Sequence, residues 1–408
     1  MMKNERDFTN CRQNKFKSYL GANGSKKCLI IDGEEYMVKF SPVPTKATEL
    51  SYTNSCVSEY LGCHIFELAG IPVQKTMLGT YTTESGKTKI VVACKDVTSP
   101  GVELIPFAGL KNQIVDSPQN GYGTELSEIL ETFEKQDSFS PKELTERFWD
   151  MFIVDALIGN WDRHNGNWGY LYNSLSNTVE LAPVYDCGSS LFPQADERMI
   201  KEILSDKNEL NYRVYSVPLS SIKINDKKIN YRDFINALEN EDCNKALKRI
   251  YSNLSMDKIS GIIKGTPYIT DVQKEFFTKI LEARHDLILT PAYNKLIKRE
   301  REQKQQIDTV NIISIEDLGV KYIDKVLEYS RLMAIKDAAC KTYDELINSS
   351  CEDKIIRQKM LNEYLKSKGI ESNKDFSDYI TKLKTEPAKK DRVQKRNSNF
   401  RDENIGRG

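Results

Sequence analysis

No apolar stretch in this 408-residue chain approaches the roughly 18 residues that a membrane helix needs. The opening, MMKNERDFTN, lacks the apolar core of a secretory signal. These absences predict a protein that starts in the cytoplasm, with export by a route needing no N-terminal signal left open. There is no C-x-x-C pair, and the nine cysteines are odd in number and scattered, which argues against a disulfide framework and a zinc site. They read as reduced packing thiols. Net charge is lacking too, since 59 Lys and Arg balance 59 Asp and Glu. That balance supplies no global pull toward nucleic acid or an anionic membrane surface. No internal repeat is visible. What remains is an ordinary globular composition, 39% hydrophobic and 29% charged, long enough for two or three units of about 150 residues each.

The informative stretch runs from Leu157 to Gly188, LIGNWDRHNGNWGYLYNSLSNTVELAPVYDCG. Strand-like runs Trp168 to Tyr172 and Thr178 to Val184 flank a turn of Ser and Asn, so the pattern predicts a loop followed by a hairpin. A hairpin returns Asp186 to the side of Asn167, with Asp162 a few residues before that Asn. One acid and one amide oxygen at a common point suit magnesium carrying nucleotide phosphates. The remaining Asp is then available to orient or deprotonate an attacking hydroxyl. The arrangement asks for phosphoryl transfer, although a lone Asp in a loop is usually a turn or cap residue.

The pattern D-x-H-x-x-N followed by L-A-P-x-Y-D resembles the HipA-like serine/threonine kinases. DRHN with N-G-N is also similar to the catalytic loop of phosphoinositide kinases, to which the HipA-like fold is distantly related. Cys187 stands where the phosphoinositide type carries an aromatic after the metal Asp, which favours the HipA-like branch. The resemblance implies Asp162 as catalytic base, Asn167 and Asp186 as Mg2+ ligands, and His164 as a loop-organising or transition-state residue. Arg163 is either a phosphate contact or a structural ion pair.

Upstream, Lys15 to Leu20, Lys27 to Ile31 and Glu35 to Phe40 read as three consecutive strands, the last two joined by the hairpin signal Asp32-Gly33. The first connection, GANGSKK, places Gly21, Asn23, Gly24 and Ser25 where backbone N–H groups can approach phosphates, with Lys26 or Lys27 adding charge. A plain Gly-rich turn is the bland alternative. Lys39, on a strand after that loop, sits where a kinase places its charge for nucleotide phosphates; otherwise it is an edge-strand Lys. A helix is predicted from about Thr53 to Ala69, with Asn54 as cap and Gly70 as stop. Its Glu59 matches the family position that pairs with the strand Lys, and Glu67 is the rival. The strand Ile90 to Ala93 leads into Cys94, Lys95 and Asp96, where the linker between lobes would contact adenine through its backbone.

A helix is predicted from Thr124 to Lys135, and another begins at Ser140, where S-P-K-E spells a capping box with Pro at the first position, ending at Gly159-Asn160. CGSSLFPQADERM after Asp186 reads as a mobile segment that admits substrate. Tyr231 to Leu254 and Asp271 to Leu289 read as amphipathic helices, with His285 structural. Beyond the charged run KLIKREREQKQQ come helical patterns and a basic tail, for which a disordered solubilising role is favoured over a nucleic-acid or acidic-partner contact.

The expectation is therefore an α+β, two-lobed, protein-kinase-like fold with an all-α C-terminal extension, divided as residues 1–96, 97–305 and 306–408. Full-length HipA toxins carry a subdomain before the Gly-rich loop for which this chain has little room, so the compact CtkA-like members are the nearer likeness. The implied activity is ATP- and Mg2+-dependent phosphorylation of a protein Ser or Thr, including autophosphorylation, with Ser25 a candidate self-inhibitory site. A lipid kinase and a nucleotide-binding scaffold whose extension recruits a partner are the alternatives.

Overall fold

The computed structural model describes residues 6–19, 25–41, 53–116 and 119–305. Gly21, Asn23 and Gly24 of the Gly-rich loop, and the expected helical extension with its basic tail, lie outside the described residues. The chain divides into two compact units, Met1–Lys298 and Arg299–Gly408, and every strand and helix named here belongs to the first.

The N-terminal part is a five-stranded antiparallel sheet: β1 (Arg12–Gln13), β2 (Lys26–Ile31), β3 (Glu34–Phe40), β4 (Thr76–Thr82) and β5 (Thr88–Lys95), in the order β1-β2-β3-β5-β4. Helix α1 (Ser55–Leu68) lies across it. Burial on both faces explains the apolar run at residues 91–94 of β5. Val91 and Ala93 pack with Phe8, Leu29, Ile31, Val38 and Phe40 on one face, while Val92 and Cys94 meet Leu78 and Cys56 on the face under α1. Asp32 and Gly33 take φ of 51° and 86°, as the Asp-Gly signal for a two-residue hairpin requires. Lys15 to Tyr19 do not form a strand; pairing with β2 ends where the Asn14 N–H donates to the Cys28 carbonyl at 2.9 Å, and the sheet begins instead at Arg12–Gln13. Side chains hold that segment in place of a ladder, with Lys17 bridging Glu35 and Asp96 at 2.8 Å each and Tyr19 donating to Asp96.

The second part is mainly helical. Strand β6 (Val102–Pro106) and helices α2 (Phe107–Ile114), α3 (Leu126–Lys135) and α4 (Pro141–Ile158) precede the hairpin β7 (Gly169–Asn173) and β8 (Thr178–Leu181). Then come α5 (Glu197–Ser205), α6 (Lys207–Tyr215), a small ribbon β9 (Lys223–Ile224) and β10 (Lys227–Lys228), α7 (Tyr231–Ala237), α8 (Glu241–Asn253), α9 (Met256–Gly265) and α10 (Asp271–Arg284), followed by a π-helical turn, His285–Leu289. The apolar stretch from Tyr231 is broken at Leu238, which takes a left-handed φ of 57°.

Helix α4 is the axis of this part. Every residue from Met151 to Ile158 is buried, so this half of the helix needs neighbours on every side. Those neighbours include α8, α3, α10 and α1. Pro141 occupies its first position, but the expected capping box does not form, since Ser140 makes no side-chain cap bond and its carbonyl takes the Glu143 and Leu144 N–H groups instead. Gly159 ends the helix in the left-handed region, φ 63°. The chain therefore enters the Asp162 loop from a rigid, buried base.

Candidate active site

Register decides which lysines face the site. Lys39 on β3 pairs with Val92 on one side and Lys26 on the other, so both lysines share the face under α1. Lys27, one residue along, faces the other way and donates to Tyr81 at 2.9 Å. Lys39 Nζ donates to Glu59 Oε2 at 3.0 Å and to Asp186 Oδ1 at 3.1 Å. Burial opposes the Lys39 charge, but Asp186 and Glu59 outweigh it and hold the ammonium well above its ordinary pKa. Lys26 is pushed down by its own burial and by the neighbouring Lys39. Glu59, on α1, is 1% exposed, whereas Glu67 lies exposed two turns on.

The Asp162 loop is organised by a buried pair on which the sequence reading placed little weight. Asp155, inside the apolar run of α4, accepts from Arg163 Nε at 2.9 Å. Arg163 Nη1 donates to the Asn167 carbonyl at 2.6 Å and also to the Tyr185 carbonyl. One guanidinium nitrogen thus gathers the backbone beside Asn167 and the backbone just before Asp186, which is how the hairpin returns one to the other. Tyr185 Oη donates to the Gly166 carbonyl at 3.3 Å and reinforces the closure. Of the two readings open for Arg163, the structural ion pair is the one observed. Asn160 completes the frame, donating to Asp155 at 3.0 Å and accepting from the Asp162 N–H at 3.1 Å.

Asn167 Nδ2 donates to the Asp162 carbonyl at 2.8 Å, which orients the amide so that Oδ1 is the atom that could ligate a cation. Among the described residues no group of three or more His, Cys, Asp or Glu is arranged to hold a metal ion. One carboxylate and one amide oxygen are too few for a closed zinc site, but they fit magnesium, which keeps its waters and takes further oxygens from nucleotide phosphates.

The two aspartates are pushed apart in acidity. Burial is the largest influence on both. At Asp162 it prevails over the nearby His164 and raises the pKa; at Asp186 it is outweighed by Lys39, with Arg163 and Lys26 adding to the effect, and the pKa falls. An ionised Asp186 suits cation binding, and a more basic Asp162 suits proton acceptance. His164 Nδ1 accepts from the Gly166 N–H at 2.9 Å, and its Nε2 lies 4.0 Å from Asp162 Oδ1.

The segment after Asp186 is pinned, contrary to the mobile stretch expected. Leu191 and Phe192 are buried, the Leu191 N–H donates to the Ile158 carbonyl at 2.8 Å, and Phe192 meets the rings of Trp161 and Phe276. Asp186, Leu191 and Phe192 all take left-handed φ values of 54° to 60°, a local strain that the packing sustains. Gly188 matters by its size, since a Cβ there would lie 3.1 Å from Glu59 Oε2.

The structure therefore brings Lys26, Lys39, Glu59, Asp162, His164, Asn167 and Asp186 to one region. It does not bring Lys95 there: its ammonium pairs with Glu34 at 2.7 Å, its N–H goes to the Lys75 carbonyl, and its own carbonyl accepts from Gln74 Nε2 at 2.8 Å. Ser25 is exposed, with its carbonyl taking the Phe40 N–H at 3.0 Å. Asp155 escaped the sequence reading; an acid alone in an apolar helical run is the signal that marked it.

A family model described as the HipA-like C-terminal domain matches residues 17–255. The serine/threonine-protein kinase CtkA of Helicobacter pylori strain J99 is 46% identical over 300 residues, 73% of this chain and 91% of that protein. A crystal structure of a Helicobacter pylori proinflammatory kinase CtkA aligns with a TM-score of 0.69 at 46% identity, covering 72% of this chain and 98% of that one. A chain in a structure of the toxin–antitoxin HipA, HipB and operator DNA complex from Shewanella oneidensis MR-1 aligns at 13% identity with a TM-score of 0.41, over 69% of this chain and 68% of that one.

Proposed function

The chain belongs to the HipA-like family, and from that premise we propose that it is a serine/threonine protein kinase transferring the γ-phosphoryl of ATP, with magnesium, to protein hydroxyls. The observation that carries this reading is the bridge from Lys39 to both Glu59 and Asp186, at 3.0 and 3.1 Å, beside an Asp162 whose acidity is shifted the other way. Lys39, held by Glu59, neutralises phosphate charge. Asp162 orients the acceptor hydroxyl and takes its proton, while His164 lies beside that carboxylate and Asn160 fixes the Asp162 backbone N–H. Asn167 and Asp186 hold magnesium, whose contribution is to neutralise charge on the phosphates. Lys26 faces the phosphates from the neighbouring strand. Most of the acceleration comes from positioning and charge neutralisation.

The test is transfer of labelled phosphate from Mg-ATP to casein, with phosphatidylinositol vesicles in parallel. Phosphoserine or phosphothreonine on casein, lost in Asp186→Asn and Lys39→Ala proteins that melt at the parent temperature, is the expected result. Label in lipid alone would move the assignment to a lipid kinase, and label in neither would leave a nucleotide-binding scaffold.

A further inference from the structure

Gly166, in the Asp162 loop, is pressed by two rings. A Cβ there would lie 2.7 Å from His164 Cε1 and 2.8 Å from Tyr122 Cε1, so only glycine lets both rings close on that backbone. The rings themselves meet at 60°, with centroids 6.3 Å apart. The imidazole lies 4.0 Å from Asp162 in turn. Ring, bare backbone and imidazole therefore form one surface leading to the carboxylate.

Tyr122 is fixed from behind. Gly121 takes a φ of 79°, and a Cβ there would overlap the Ala108 carbonyl. Asn165, buried in the same loop as Asp162, donates its Nδ2 to the Gly121 carbonyl at 2.9 Å and to the Gly123 carbonyl at 2.7 Å. Lys111 Nζ adds a second bond to the Gly123 carbonyl at 2.9 Å. The backbone on both sides of Tyr122 is thus anchored to the loop, yet Tyr122 itself is 52% exposed. A large ring held rigidly and left half in water is built for a contact that the free chain does not make. Charge has little part in that contact. Glu125 is occupied by the Asn225 and Asp226 N–H groups at 2.8 and 3.1 Å, and Lys111 pairs with Glu128.

We propose that Tyr122, with Gly166 and His164, forms a subsite for an apolar side chain next to the phosphoacceptor Ser or Thr of the protein substrate. The proposal rests on the kinase reading above, which places the acceptor hydroxyl at Asp162. An extended chain advances about 3.3 Å per residue, so a leucine or phenylalanine one or two residues from the acceptor reaches past His164 onto the Tyr122 ring. Tyr122 is then a specificity-determining residue, because it acts on which acceptor is held and takes no part in the proton transfer.

The experiment measures kcat/KM with Mg-ATP for a peptide whose single serine has two leucines on each side. Peptides with alanine, lysine or glutamate at those four positions are compared, with casein in parallel. The full chain is expected to favour the leucine peptide over the alanine one by about tenfold, and over both charged peptides. Tyr122→Ala is expected to bring the leucine-to-alanine ratio close to one, and Tyr122→Phe to keep it, since the ring and not the hydroxyl makes the contact. A parent protein without the leucine preference overturns the inference before any variant is made. A Tyr122→Ala protein that keeps the ratio, even with every rate lowered, overturns it as well and leaves the ring a structural part of the loop. Casein labelled while every peptide stays unlabelled overturns the subsite and leaves the kinase reading standing. Label in neither casein nor peptides removes both.

Discussion

In the proposed mechanism Asp162 and His164 stand nearest the proton transfer, and both make measurable predictions. Asp162 has 41% of its side chain exposed, so Asp162→Asn is expected to keep the melting temperature while kcat falls by about 10²–10⁴, the usual worth of a positioned base. Because burial raises the Asp162 pKa, activity disappears as pH falls through a value above the ordinary aspartate range. Nearby His164 pulls the Asp162 pKa down against that burial; removing it in His164→Ala moves the acidic limb of kcat/KM to higher pH. A limb that stays put would deny His164 that influence. Arg163 and Asp155 act differently, as a buried pair under the loop, 4% and 1% exposed. Asp155→Ala leaves the guanidinium without its counter-charge and is expected to cost about 3–5 kcal/mol in denaturant unfolding. The same change loosens the backbone at Asn167 and Tyr185, so the remaining activity needs more magnesium for its half-maximum. A loss within error of zero would mean that Arg163 is held by its carbonyl contacts alone.

At the scale of elements, α4 and the β7–β8 hairpin divide the labour. The helix supplies a fixed origin for the loop, and the hairpin sets how far the chain travels before it returns. Gly159 is the joint between them. Its φ of 63° and the Pro218 atoms 3.3 Å from a would-be Cβ predict that Gly159→Ala costs about 1–2 kcal/mol through the left-handed backbone. Denaturant midpoints measure that cost, and an unchanged midpoint would mean that the loop re-forms with a different cap. Gly169 is less forgiving, since a Cβ there would lie 2.1 Å from the Ile105 carbonyl oxygen of β6. The β6–β7 pairing was not foreseen in the sequence because it joins strands far apart in the chain, whereas β7–β8 was read from its own turn. The Ser140 capping box failed for a related reason: the motif satisfies a local rule, and the backbone there settled the same donors without the side chain.

Across the whole molecule, the parts that meet at Lys39, Asp162 and Asp186 come from a sheet near the N-terminus and a helical assembly after it. Both lie within Met1–Lys298, the first compact unit, and the family match ends at residue 255. A protein comprising residues 1–305 is therefore expected to melt cooperatively and to phosphorylate casein as the full chain does. Loss of activity with retained folding would show that residues beyond 305 complete the site. Among the described residues no helix is long and apolar enough to cross a membrane.

Sequence alone determined what is encoded over short distances. The Asp32-Gly33 turn, the span of α1 with its stop at Gly70, the left-handed Gly159 and the hairpin that returns Asp186 all follow from local backbone preferences and periodicity. The motif from Asp162 to Asp186 was legible because its spacing and its apolar surroundings agree. Only the tertiary structure decided the rest. It chose Lys26 over Lys27 through strand register, Glu59 over Glu67 through burial, and the ion pair over the phosphate contact for Arg163. It also withdrew Lys95 from the site and replaced a mobile segment with one anchored by Leu191 and Phe192. Each of these turns on which groups meet across the fold, and the desolvation and pairing of charges depend on neighbours that no short stretch of chain specifies.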